Sequence, residues 1–263
     1  MNTLCIATVA LSLVAQAGVR KVPEEDVLAK FADHTFKFTG GDYKDEVFHY
    51  RLLSPAKIEP GKKYPVILFL HGAGERGDDN AAQLMYFPEQ MAKPEWQAKY
   101  PCFLIAPQCR KNKWWANPFK AKDPDAPAVS EQIQVAEGIL DEVEKNYPVD
   151  LKRVYLTGLS MGGFGSWQLA TRRPDHFAAL VPICGGGDGT KAAVLAKLPI
   201  WAFHGAKDTV VRPEQSRKMI DAIKQAGGDP KYTEFPDAGH DSWTPAYSDE
   251  KGVVPWMFEQ VRK

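Results

Sequence analysis

Five short, continuously apolar runs punctuate the chain, at 65–70 (PVILFL), 103–106, 154–157, 179–184 and 200–203. Runs of this length without alternation suit strands of a sheet that is covered on both faces. Two earlier stretches, 34–39 and 47–53, instead alternate apolar with polar, which predicts antiparallel strands with one wetter face, at a sheet edge. A last strand is predicted at 231–235. Helical periodicity is clearest over 131–147, where Ile133, Ala136, Ile139, Leu140, Val143 and Tyr147 share a stripe behind Ser130, a residue type that caps helix N-termini. Further helices are predicted at 161–173, 213–226 and 254–261. Strands alternating with helices predict an α/β fold: a mostly parallel central sheet, helices on both faces and antiparallel N-terminal edge strands. With no repeat, linker or composition break, one domain is expected over 18–263. The Pro-rich, aromatic segment 112–128 (NKWWANPFKAKDPDAPA) is expected to be an ordered surface loop, of a length that is often functional.

Composition narrows the function classes. The chain has 263 residues, and its 33 Lys+Arg balance its 33 Asp+Glu. That balance offers no basic surface for nucleic acid. Met1 to Ala17 carries no charged side chain, and its apolar run of about a dozen residues falls short of the roughly 20 needed to span a membrane. It ends in Ala15-Gln16-Ala17, the small-x-small pattern of signal cleavage, so residues 1–17 read as a signal peptide and the mature protein as secreted or periplasmic. A first core element or an uncleaved anchor are the competing readings; no later segment resembles a membrane span. Cleavage removes Cys5 and leaves Cys102, Cys109 and Cys184, which permit at most one intramolecular disulfide and lack the spacing of a zinc site. Buried thiols are the plain alternative for each.

The chemistry concentrates after the apolar runs. Strand 154–157 leads into Gly158-Leu159-Ser160-Met161-Gly162 and then a helical pattern, which is G-x-S-x-G in its strand–turn–helix context. Such a turn presents Ser160 as a nucleophile, and a serine needs a base that is itself oriented by a carboxylate. Asp208 follows strand 200–203, and His240 follows strand 231–235, both beyond carboxyl ends of strands, where functional groups of open α/β sheets collect. Asp237 and Asp241, flanking His240, are the rivals of Asp208. His71 and His204 end apolar strands before Gly and are expected to satisfy nearby polar groups. An oxyanion formed at Ser160 would need donors. The Met161 amide is one; the second is expected from His71-Gly72-Ala73-Gly74, with Ala73 first and Gly72 or Gly74 as alternatives. The loop lacks the Lys and Ser/Thr of a phosphate-binding P-loop.

Together, LHGAGERG, GLSMGG, PICGGGD, FHGAKD and GHDSW resemble the α/β-hydrolase superfamily, specifically secreted esterases and peptidases of the polyhydroxybutyrate-depolymerase-like and feruloyl-esterase-like groups. The resemblance runs from about Tyr43 to the C-terminus. It implies an α/β-hydrolase fold, Ser160 as nucleophile, Asp208 as acid, His240 as base and oxyanion amides at Ala73 and Met161. The expected activity is hydrolysis of carboxylic esters, of small acyl, acetyl or feruloyl type and including carbohydrate-linked ones, through an acyl-enzyme and with no metal or other cofactor. A serine peptidase of prolyl-oligopeptidase type and a non-catalytic binding protein on the same fold are the alternatives. The chain length leaves little or no room for a cap. Trp114, Trp115, Phe119 and Trp243 are candidate cleft walls, with loop packing an equal reading for the Trp114–Trp115 pair and the favoured one for Trp243.

Overall fold

The computed structural model describes residues 22–116, 129–249 and 252–263. Residues 1–17, expected to be a signal peptide, and most of 112–128, expected to be an ordered loop, including Phe119, lie outside them. After a short helix α1 (Glu25–Leu28), strands β1 (Phe31–Gly40), β2 (Tyr43–Leu53) and β3 (Tyr64–Leu70) lead to helices α2 (Phe87–Met91) and α3 (Pro94–Lys99). Then come β4 (Phe103–Pro107), α4 (Glu131–Asn146), β5 (Val149–Leu159), α5 (Met161–Arg172), β6 (Ala179–Ile183) and β7 (Trp201–Gly205). The chain closes with α6 (Glu214–Gln225), β8 (Lys231–Phe235), α7 (Trp243–Ser248) and α8 (Val253–Glu259).

The eight strands of the described residues form one sheet in the order β1-β2-β4-β3-β5-β6-β7-β8. β1 pairs antiparallel with β2, and β2 antiparallel with β4; every pairing from β4 to β8 is parallel. Only β1 is an edge at this end, so β2, expected beside it as an edge strand, is interior.

The apolar runs work as their pattern requires. Val66, Leu68 and Leu70 face one core with α4, α5 and α6, while Ile67 and Phe69 face another with α2, α3, α7 and α8. Both faces of β3 are therefore dry, and every residue of the strand is buried. β5 begins five residues before its apolar run, because Asp150 to Arg153 continue the strand past the covered part of the sheet. Hydropathy alone reads such a solvated overhang as loop. The connection from β6 to β7 is short, a 3-10 stretch at Gly189–Leu195, so no large insertion stands over the carboxyl ends of the strands there. No helix among the described residues is long and apolar enough to cross a membrane. Cys102, Cys109 and Cys184 are free and buried.

Candidate active site

Ser160 sits between β5 and α5 with φ 52° and ψ −116°, a conformation that L-residues rarely adopt. Strain of this kind costs about 1–3 kcal/mol and persists only where surrounding packing enforces it. Here the Ser160 amide donates to Ile183 O (2.9 Å), and the Ser160 carbonyl accepts from the Phe164 amide (3.1 Å). The turn can close because position 162 has no side chain: a Cβ there would lie 1.8 Å from Leu70 O. Met161 is the first residue of α5 and Ala73 the first of the 3-10 turn Ala73–Glu75. Amides at the first position of such elements have no partner within them and stay available to an outside acceptor.

The loop carrying Ala73 is braced from beneath. The buried His71 ring accepts the Cys109 amide at Nε2 (2.9 Å), so its Nδ1 carries the proton, which it donates to Gly72 O (2.6 Å). Trp115 Nε1 donates to His71 O (3.0 Å), and Arg76 donates to Ala73 O (2.9 Å) while its guanidinium stacks 4.8 Å from the Trp114 ring centre. Trp115 is 1% exposed. It packs its segment onto the body and has no place on a cleft wall; Trp114 is half-buried.

His240 lies between the other two predicted groups. Its Nε2 is 2.9 Å from Ser160 Oγ and its Nδ1 is 2.7 Å from Asp208 Oδ2. The Asp208 side chain is fully buried, and its Oδ1 accepts the amides of Val210 (2.8 Å) and Val211 (2.9 Å). Asp208 thus meets His240, and its sequence rivals do not. Asp237 is exposed and binds Lys207 Nζ (2.7 Å); Asp241 accepts from the Thr244 amide and hydroxyl in the first turn of α7. The loops carrying Asp208 and His240 lie flush: Lys207 N donates to Ala238 O (2.9 Å), and a Cβ on Gly205 would stand 2.0 Å from Gly239 O.

Three neighbours of this set carry no local signal as functional residues. His204 touches Asp208 from behind, with Nε2 3.3 Å from Oδ2. Cys184, at φ 40°, brings its thiol within 4.8 Å of ligand atoms of Asp208 and His240. Tyr86, at φ 68°, packs at a tilt against Trp243 (5.4 Å), which meets His240 edge-on (5.3 Å). A cavity of about 210 Å³ opens beside Tyr86 and Trp243, with Glu89, Gln90 and Thr244 among its walls. Positive φ marks Cys184 and Tyr86, and only the folded backbone shows it.

Among the described residues, two groups of side chains have ligand atoms close enough for a cation. In Cys184, Asp208 and His240, the carboxylate and the imidazole are engaged with each other, and burial pushes the Cys184 thiol pKa up, which keeps it protonated. In Asp141, Glu144 and His176, Arg173 already bonds Asp141 (2.8 Å) and His176 (3.0 Å). Neither is a vacant ligand set.

Residues 45–218 match the family model described as "Putative esterase". A bifunctional acetylxylan esterase/xylanase of Neocallimastix patriciarum is 31% identical over 124 residues, which are 44% of this chain and 18% of that protein. The "Probable feruloyl esterase C" of Aspergillus niger is 25% identical over 199 residues, 74% of this chain and 67% of that protein. A crystal structure of a thermostable esterase superposes with a TM-score of 0.81 at 36% identity, covering 90% of this chain and 64% of the other. The chain therefore spans under a fifth of the Neocallimastix protein and less than two thirds of the crystallised esterase. The architecture is the α/β-hydrolase fold.

Proposed function

This chain belongs to the esterase family whose model it matches, and from that premise we propose that it hydrolyses carboxylic esters through an acyl-enzyme on Ser160. His240 takes the Ser160 proton as Oγ attacks the ester carbonyl, and the amides of Ala73 and Met161 hold the developing oxyanion. The imidazolium then gives its proton to the leaving alcohol. Water, activated by the same ring, releases the acid. Asp208 keeps the His240 proton on Nδ1 in the resting state, so that Nε2 faces Ser160 as an acceptor. The cycle calls for no metal or organic cofactor. The observation that carries this reading is the unbroken line from Asp208 Oδ2 to His240 Nδ1 (2.7 Å) and from His240 Nε2 to Ser160 Oγ (2.9 Å).

The leaving alcohol must lie on the His240 side, because that ring protonates it. On that side Trp243 and Tyr86 offer aromatic faces, and Glu89 and Gln90 offer hydrogen-bonding groups. Such a wall suits the alcohol part of a carbohydrate-linked ester, with a small acyl, acetyl or feruloyl group opposite. Residues 18–263 form a single catalytic domain in this reading. The leader 1–17 directs it out of the cytoplasm.

The test is hydrolysis of p-nitrophenyl acetate and butyrate by the wild type, Ser160→Ala and His240→Ala. Loss of roughly four or more orders of magnitude in kcat in both folded variants supports the reading. An inactive wild type, or a Ser160→Ala protein that keeps its rate, overturns it.

A further inference from the structure

Asp208 is held from four directions within a site closed to solvent. Oδ1 takes the two backbone amides, and Oδ2 faces His240 Nδ1 on one side and His204 Nε2 on the other. The side chains of His204 and Asp208 have no exposed surface, so bulk water offers no substitute donor.

The protons of His204 follow from its surroundings. Nε2 faces only acceptors, Val211 O at 2.9 Å and Asp208 Oδ2 at 3.3 Å, so it carries a proton. Nδ1 faces Ser216 Oγ at 2.7 Å, and Ser216 has one proton for two possible acceptors, His204 Nδ1 and Gly185 O (3.0 Å). Burial lowers the pKa of His204 and keeps it neutral, so Ser216 donates to Nδ1.

We propose that His204 is a positioning residue for Asp208: its Nε2–H, placed between Val211 O and Asp208 Oδ2, fixes which way the carboxylate faces and moderates its pull on His240. The inference rests on the roles given above to Ser160, His240 and Asp208. Two effects combine. Val211 accepts from His204 through its carbonyl and donates to Oδ1 through its amide, so the ring braces the turn that orients the carboxylate. The positive end of the Nε2–H bond beside Oδ2 also opposes formation of the His240 imidazolium, whose charge in turn disfavours a charged His204.

Glu234, opposite it on β8, also faces His204. Its carboxylate is already bound by Arg217 of α6 and by the Tyr232 hydroxyl.

The experiment compares kcat/KM against pH on p-nitrophenyl acetate for the wild type, His204→Leu and His204→Gln. In His204→Leu, we expect a loss on the order of tenfold. Its acid limb should move up by about half a pH unit. His204→Gln, which keeps an N–H donor, should hold the acid limb of the wild type. A His204→Leu protein with native near-UV circular dichroism and an unmoved acid limb overturns the proposal. Imidazole nitrogen NMR of the wild type provides a second reading that needs no variant and no substrate. His204 should show a protonated Nε2 and a bare Nδ1 throughout the acid limb, and a ring protonated at Nδ1 alone overturns the proposal even if neither variant folds. An inactive wild type with this tautomer intact defeats the esterase reading and leaves the placement of the His204 proton standing.

Discussion

Replacing Asp208 by Asn exchanges one oxygen for an NH2 at the floor of the site and changes nearly nothing in volume, so it isolates the carboxylate's role. Oδ1 accepts two backbone amides, at 2.8 and 2.9 Å. The Asn carboxamide must therefore put its oxygen at the Oδ1 position, because an NH2 there would oppose two donors in a site closed to water, at a cost of about 1–3 kcal/mol for each lost bond. Its NH2 is then forced into the Oδ2 position, 2.7 Å from His240 Nδ1. A donor facing Nδ1 makes that nitrogen the acceptor and moves the ring proton to Nε2. Nε2 now points a hydrogen at Ser160 Oγ and can no longer take the serine proton. A base held in the wrong tautomer costs on the order of ten-thousandfold in kcat, equivalent to about 5.5 kcal/mol of barrier. The assay is p-nitrophenyl acetate hydrolysis at neutral pH, with urea melts to show that Asp208→Asn is folded. KM should change little, because no group contacting bound substrate is altered. A folded Asp208→Asn protein within tenfold of the wild-type kcat refutes this reasoning, and means that another group orients His240.

Other outcomes follow from the same geometry. Gly162→Ala places a Cβ 1.8 Å from Leu70 O, and should destabilise the fold by about 3 kcal/mol in denaturant melts. Trp115→Phe keeps a ring but removes the donor to His71 O, so a loss of about 1–2 kcal/mol is expected in the same measurement. Glu234 is held below the usual carboxylate range, chiefly by the Arg217 hydrogen bonds and then by the Tyr232 hydroxyl, against an opposing effect of burial. A depressed pKa stabilises the fold above the unfolded value of Glu, and that stabilisation is lost as pH falls through the lower, folded value. Urea midpoints between neutral pH and about pH 3 should therefore fall less steeply in Glu234→Gln than in the wild type. Burial raises the pKa values of the Cys102, Cys109 and Cys184 thiols. These three should resist a disulfide reagent such as DTNB in the native protein and react once it is unfolded.

Local order along the chain determined a large part of this protein. Continuous apolar runs can exist only where both faces of a strand are covered, so 65–70 and 154–157 announced a central parallel sheet before any pairing was known. Gly-x-Ser-x-Gly between a strand and a helix announced the sharp turn at Ser160, because only glycine lets the neighbouring backbones pass so closely. The polar overhang of β5 and the short helices α1, α2, α3 and α7 were beyond it, since these depend on what packs against them more than on their own periodicity.

Only the tertiary structure decided which distant groups meet. Ser160 and His240 are 80 residues apart, and register and strand order bring them to 2.9 Å. Asp208, Asp237 and Asp241 are equivalent as residue types, and the crossing of two loops at Gly205 and Gly239 selects the first. Trp114 and Trp115 are adjacent letters, yet one stacks half-buried against the Arg76 guanidinium and the other disappears beneath His71. His204 reads as an ordinary strand-end histidine until the fold sets its ring against the back of Asp208. Sequence pattern records how much of each residue water will see and which turns the backbone can make; contact between segments far apart in the chain is a property of the whole packed sheet, and no local pattern encodes it.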